Sequence, residues 1–245
     1  MPTPIIQLKK VSKSFGTSNK RTLVLSNIDL QIKKGEFFVF VGPSGSGKST
    51  LLRIMSGLEK SYKGELVLDD GALPRMSFVF QQFALMPWLT IFENVEMALY
   101  SQNMSRDERK QRVSKELKTL GLQKYAQNHP RDLSGGMRQR VGIARAIVGE
   151  PEIMFMDEPF SELDSFTAQE LRAELLGIWE KRRMTVVMVT HIVDEAVELA
   201  DRIAVLTPRP GKIEKIYVNN MNRPRAKRTP EFFQLEDLVT KTIRP

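Results

Sequence analysis

The chain has 245 residues, 41% hydrophobic and 27% charged, an ordinary globular balance that excludes wholesale disorder and suits one domain or one domain with a subdomain. It has no cysteine, which excludes disulfides, cysteine-ligated zinc and thiol chemistry and agrees with the cytosol. With 37 basic and 29 acidic residues the net charge is +8, which suits nucleic acid, anionic lipid or phosphate ligands, or only a set of solvated faces.

Strand-length apolar runs open the chain. Ile5–Val11 and Leu23–Ile32 read as strands, with a turn at Asn19-Lys20. Phe37–Val41 is wholly apolar, as for a strand buried on both faces. Lys48–Gly57 follows as a helix, then short strands at Glu65–Leu68 and Ser77–Phe80. The middle changes character, with helices at Ile91–Tyr100, Asp107–Leu120 and Gly136–Gly149 and no convincing strand among them. Alternation then resumes: strand Ile153–Met156, helix Ala168–Lys181, strand Thr185–Val189, helix Asp194–Ala200, strands Ile203–Leu206 and Ile213–Val218.

Such alternation predicts an α/β fold with a largely parallel sheet, N-terminal antiparallel β elements and a helical subdomain inserted over about 86–148. Residues 1–218 form the expected domain, and 219–245 a basic tail ending in a short helix around Phe232–Leu238. No apolar run approaches the ~20 residues that cross a membrane, and Met1-Pro2-Thr3-Pro4 begins no secretory signal pattern.

Three motifs carry chemistry. The first is Gly42-Pro43-Ser44-Gly45-Ser46-Gly47-Lys48-Ser49-Thr50, between a buried strand and a helix. Glycines let backbone N–H groups turn inward around phosphate, and the helix start adds donors and partial positive charge. Lys48 then reaches the β/γ-phosphates and the Ser49 hydroxyl can ligate Mg2+. The second is Ile153-Met154-Phe155-Met156-Asp157-Glu158, an apolar strand running into two carboxylates. At a parallel strand's carboxyl end, Asp157 is placed to hold Mg2+ and Glu158 to polarise an attacking water. The third is Leu133-Ser134-Gly135-Gly136-Met137-Arg138-Gln139-Arg140, where Ser134 caps a helix and the two glycines admit an anion.

On these motifs the chain resembles an ABC-transporter ATP-binding subunit with a P-loop NTPase (RecA-like) core, over about residues 5–218. The resemblance makes 42–50 the Walker A motif, 153–158 the Walker B motif and Leu133–Gln139 the signature, which departs from the commonest family form at Met137. It implies that Gln81 contacts Mg2+ and water, that Ser161-Glu162-Leu163-Asp164 is the D-loop, that His191 meets the γ-phosphate and that Phe15 stacks on adenine. Residues 80–90, 194–202 and 206–213 are similar to the nitrate/sulfonate/taurine type of importer, with Ser165-Phe166-Thr167 the one noted departure. The implied molecule is a Mg2+-dependent ATPase at the cytoplasmic face of the membrane. Two copies pair head to tail, with ATP between residues 42–50 of one and Ser134–Gly136 of the other. Its implied partners are transmembrane permease subunits, meeting Gln81–Leu89 where Met86, Pro87, Trp88 and Leu89 form an apolar run, and an extracytoplasmic solute-binding protein. The rival readings are a soluble ABC ATPase acting on nucleic acid or ribosomes, and a nucleotide sensor without turnover. A single cassette without a heptad array argues against the first, so no nucleic acid partner is expected; Glu158 and His191 argue against the second.

Overall fold

A computed structural model describes residues 4–16, 21–68 and 73–244. The expected Asn19-Lys20 turn lies outside the described residues. The chain divides into two compact units, one formed by residues 1–74 and 183–245, the other by 75–182.

The first unit holds two sheets. Strands β1 (Pro4–Phe15) and β2 (Thr22–Lys33) pair antiparallel, and β4 (Lys63–Leu68) pairs antiparallel on the other edge of β1. The second sheet centres on β3 (Phe37–Val41), all five residues of which are buried. It lies between β7 (Thr185–Thr190) and β8 (Arg202–Leu206), both parallel to it, and β9 (Ile213–Val218) adds antiparallel to β8. Continuous apolar runs in β3 and β7 are what a parallel sheet covered on both faces demands. Helices α1 (Lys48–Met55) and α6 (Val193–Leu199) pack on β7 and β3.

The last segment is more than a basic loop with a short helix. Helix α7 runs Pro230–Ile243, capped by the Thr229 hydroxyl with proline in its first turn, and buries Phe232 and Val239. Ahead of it, Arg225 is buried and donates to the carbonyls of Val197 (3.1 Å), Glu198 (3.0 Å) and Ala200 (2.7 Å) at the end of α6. Burial lowers its pKa to about 10. Asn219 Nδ2 adds a bond to the Val197 carbonyl at 2.8 Å. These donors satisfy carbonyls that a helix end leaves unpaired.

The second unit pairs β5 (Met76–Val79) parallel with β6 (Ile153–Asp157). Around them stand α2 (Ile91–Glu96), α3 (Arg106–Thr119), α4 (Gly135–Ile147) and α5 (Ser165–Arg182). Capping boxes at Thr90/Glu93 and Ser105/Glu108 start α2 and α3. The helix expected at Ile91–Tyr100 shortens to α2 plus a 3-10 turn at Met97–Leu99. Since this unit also holds β5, β6 and α5, it extends beyond the helical stretch expected over 86–148. Among the described residues no helix is long and apolar enough to cross a membrane.

Candidate functional site

In the first unit, register gathers the predicted groups at one sheet edge. Val41, the last residue of β3, is registered with Thr190 of β7 and Val205 of β8. The residues that follow are Gly42, His191 and the 206–212 turn, so all three leave the carboxyl ends of adjacent parallel strands, where α/β sheets bind ligands.

The 42–50 loop is tightly built. Gly47 has φ +94 and caps α1; a Cβ there would lie 2.8 Å from Leu25 Cδ2. Gly42 leaves no room either, since a Cβ would come within 2.7 Å of the Leu206 carbonyl oxygen. Lys48 is buried, and its Nζ donates to the carbonyls of Gly42 (2.8 Å) and Pro43 (3.0 Å), holding the ammonium at the loop's centre. The Ser46 hydroxyl is buried with no hydrogen-bond partner among the described residues. An unsatisfied donor beside a held cation and a helix start is a set of groups that fits phosphate. The first turn of α1 contains no acid to oppose it.

His191 is exposed and follows a fixed turn: Thr190 Oγ1 donates to buried Glu195 Oε2 at 2.7 Å and accepts from Ile192 N at 3.1 Å. Phe15 ends β1 with its ring 45% exposed and Lys13 Nζ 4.5 Å from its centre. Lys13 is registered with Leu25, the residue against Gly47, so the sheet brings Phe15 to the neighbourhood of the loop.

The 206–212 turn is a contributor that sequence reading used only for family likeness. Thr207 closes it through bonds to Pro210 and Lys212, and a Cβ on Gly211 would lie 2.0 Å from the Ser46 carbonyl oxygen. An Arg209 guanidinium nitrogen lies 3.8 Å from where a Gly45 side chain would begin. The Thr207-Pro208-Arg209-Pro210-Gly211 string signals a turn, but nothing local says what the turn covers.

In the second unit, Val79 is registered with Met156, so Gln81 and Asp157 follow the same edge of the β5–β6 pair. Asp157 is buried and Gln81 exposed. Glu158 is half-buried at φ +44, a conformation uncommon for a residue with a side chain and often found at working sites. The Ser161 hydroxyl and amide both donate to the Glu158 carbonyl, at 3.0 and 3.3 Å. Asp164 Oδ1 accepts from the amides of Thr167 and Phe166 at the start of α5, and these bonds, Thr167's first, lower its pKa.

Ser134 caps α4, its exposed hydroxyl accepting from Met137 N at 3.3 Å, again with no acid in the first turn. Gly135 has ordinary room for a side chain, with nothing closer than 3.9 Å to a Cβ. Gly136 has none: a Cβ there would lie 2.3 Å from Thr167 Cγ2, so packing against α5 already requires glycine. Gln81 and Asp157, which follow the same edge of this unit, offer the oxygen donors that a hard cation such as Mg2+ takes. Among the described residues no three His, Cys, Asp or Glu side chains cluster as a metal site.

Comparison with known proteins places the chain. The model of the ABC transporter family matches residues 25–161. The aliphatic sulfonates import ATP-binding protein of Bacillus thuringiensis subsp. konkukian is 39% identical over 96% of this chain and 94% of its own length. The nitrate import ATP-binding protein of Synechocystis is 38% identical over 98% and 95%. A solved dimeric ATP-binding cassette, in a post-hydrolysis state with ADP and Pi, superposes with a TM-score of 0.77 at 38% identity, covering 89% of this chain and all of that one. The chain belongs to the ABC transporter family. Within it, the P-loop α/β fold and these relatives mark an ATP-binding subunit of ABC ATPase type.

Proposed function

We propose that this chain energises an importer of a small anionic solute of the sulfonate or nitrate kind, through ATP hydrolysis in a head-to-tail pair of copies. The observation that carries the reading is the 42–50 loop, with buried Lys48 at its centre and the unpaired Ser46 hydroxyl beside it. The importers named among the relatives support the solute class.

Phe15 stacks on adenine. The backbone of Gly42, Pro43, Ser44, Gly45, Ser46 and Gly47, with Ser49 and Thr50 opening α1, cradles the phosphates, and Lys48 neutralises charge on the β/γ oxygens. Ser49, Gln81 and Asp157 would hold Mg2+, which supplies further charge neutralisation at those oxygens. Glu158 orients the water and accepts its proton as the bond to the γ-phosphorus forms and the bridge to ADP breaks. His191 donates to the γ-phosphate. Ser134, Gly135 and Gly136 of the second copy supply a further helix start to the same phosphate. ATP therefore favours the closed pair, and hydrolysis lets it reopen.

The working partners are permease subunits seated against Gln81–Leu89, where the Trp88 side chain stands 70% exposed, and a solute-binding protein on the far side of the membrane. The chain then sits peripherally on the cytoplasmic face. Glu158→Gln keeps the hydrogen-bonding shape and loses the base, so turnover should fall by ~10²-fold or more while ATP traps a dimer seen by size. Undiminished hydrolysis removes Glu158 from this role. Copurifying nucleic acid instead of membrane protein overturns the transport reading.

A further inference from the structure

Between β5 and α2, residues 80–90 run without regular structure, and a stretch this long needs its backbone groups held. Besides the Glu93 carboxylate that caps Thr90, the side chains of Asn94 and Arg145 hold it. At its far end Asn94 of α2, fully buried, binds Met86 N at 2.8 Å and the carbonyls of Met86, Leu89 and Thr90 at 3.1, 3.1 and 2.9 Å. At its near end Arg145 of α4 donates through Nη1 to the Ala84 carbonyl at 2.7 Å and through Nη2 to the Phe83 carbonyl at 3.1 Å. Ala84 sits at φ +47, a conformation an alanine rarely adopts and that these bonds hold in place. Arg138, two turns earlier on the same helix, sets its guanidinium 5.1 Å from the centre of the Phe83 ring.

We propose that Arg145, with Arg138, fastens the 81–89 segment to the helix that begins at Ser134, so that displacement of this helix when nucleotide closes the pair is carried to Trp88. Helix α4 has 13 residues, about 20 Å, and is a stiff rod over that length. One end carries the candidate anion-binding start, and the third turn carries the fork that grips two consecutive carbonyls. A guanidinium suits this task because its planar donors are fixed relative to one another, so the grip transmits rotation as well as translation. Burial lowers the Arg145 pKa, as for a cation withdrawn from water. The rest of α4 is packed by Val141, Ile143, Ala144 and Ile147, so the helix does not need Arg145 for its own burial. The proposal rests on the reading of 81–89 as the permease contact only for its consequence, that this link carries the stroke to the membrane.

The chain's two tryptophans make the test direct: Trp88 reports the segment, and Trp179, buried in α5, serves as internal control. Full-length Glu158→Gln protein labelled with 5-fluorotryptophan should show a Trp88 fluorine resonance that shifts on adding ATP and Mg2+. Adding Arg145→Gln should leave ATP-driven pairing intact by size and the Trp179 resonance unmoved, while the Trp88 shift falls by half or more. Arg145→Lys, which keeps the charge but reaches one carbonyl at a time, should fall between. A full Trp88 shift in Arg145→Gln overturns the proposal, as does a parent in which ATP leaves Trp88 unmoved. If Arg145→Gln does not fold, the Lys variant decides, and an undiminished shift overturns it. Parallel changes at both tryptophans overturn it in favour of a merely structural role. The permease reading is tested apart: Trp88→Ala should lose copurifying membrane protein. If it does not, that reading fails while the fluorine result still judges the fastening.

Discussion

The two helix starts that could meet phosphate, at Gly47 and at Ser134, share one electrostatic feature and differ in the rest. Neither α1 nor α4 has an acid in its first turn, whereas α2, α3, α6 and α7 all do, and α5, which has none either, has the Asp164 carboxylate bonded to its first amides. Acids there stabilise a helix, so leaving them out favours an incoming anion over the helix itself. The α1 start is enclosed: Gly47 packs on Leu25, Gly211 abuts Ser46, and Lys48 is buried and doubly bonded. The α4 start is one-sided, with Ser134 exposed and its hydroxyl already used on Met137 N. A start completed within one chain can bind alone. A one-sided start contributes only when something is brought to it, which supports assigning it to nucleotide held by a second copy.

Lys48→Ala is the sharpest way to break the enclosed start, because it removes the cation from its centre. Hydrolysis should vanish, and ATP affinity with Mg2+, measured by calorimetry, should weaken. Unchanged affinity would mean that the backbone cradle suffices. Ser134→Arg should break the other start with the opposite signature. Affinity in the isolated monomer should stay near normal, while pairing and turnover are lost. Mixing the two inactive variants places both lesions in one composite site and none in the other. Independent sites then return up to about half the wild-type rate per mixed dimer. Strictly coupled sites return trapping of one nucleotide without turnover. Neither result, with mixed dimers demonstrably present, would end the shared-site reading.

A smaller effect tests the rim of the enclosed start. Phe15→Ala removes an exposed ring whose stacking on a base is worth ~1–3 kcal/mol, so ATP affinity should fall about tenfold and Phe15→Trp should restore it. Equal weakening of inorganic triphosphate would place the effect in folding and not in adenine recognition.

Local signals in the sequence already contain much of this architecture. Phe37–Val41 reads as a doubly covered strand, and the Gly-Lys-Ser string between strand and helix announces its own chemistry. Long-range register is different, because periodicity reports burial and not partners. Nothing near Val41 says that Thr190 and Val205 lie beside it. Gly136 looks like an anion-approach glycine until Thr167 is seen against it. The tail shows the same limit: in sequence Arg225 reads as one more solvated cation, and only the carbonyls at the end of α6 explain its burial. Thr229-Pro230-Glu231 did carry a helix-start signal, and it marks the true beginning of α7.

The smallest expected effect concerns the buried polar group behind each helix start. Lys48 is matched to two carbonyls, while Gln139, one turn into α4 and fully buried, has both amide atoms without a hydrogen-bond partner among the described residues. An unmatched buried amide costs ~1–3 kcal/mol, and an apolar side chain of similar shape avoids that penalty. Gln139→Met should therefore raise the melting temperature by roughly 2–12 °C for a domain of this size. The same substitution separates two meanings of the unmatched group. If Gln139 only weakens the resting helix, Met should stabilise the monomer and leave ATP-driven pairing unchanged. If the amide finds its partner in the closed pair, Met should stabilise the monomer equally and weaken pairing by a comparable free energy, about 5- to 150-fold for each copy in the pair. The one-sided start would then be incomplete in the single chain down to its second turn. A melting temperature that falls would show instead that the amide is matched in solution, and α4 would join α1 as a helix start satisfied from within.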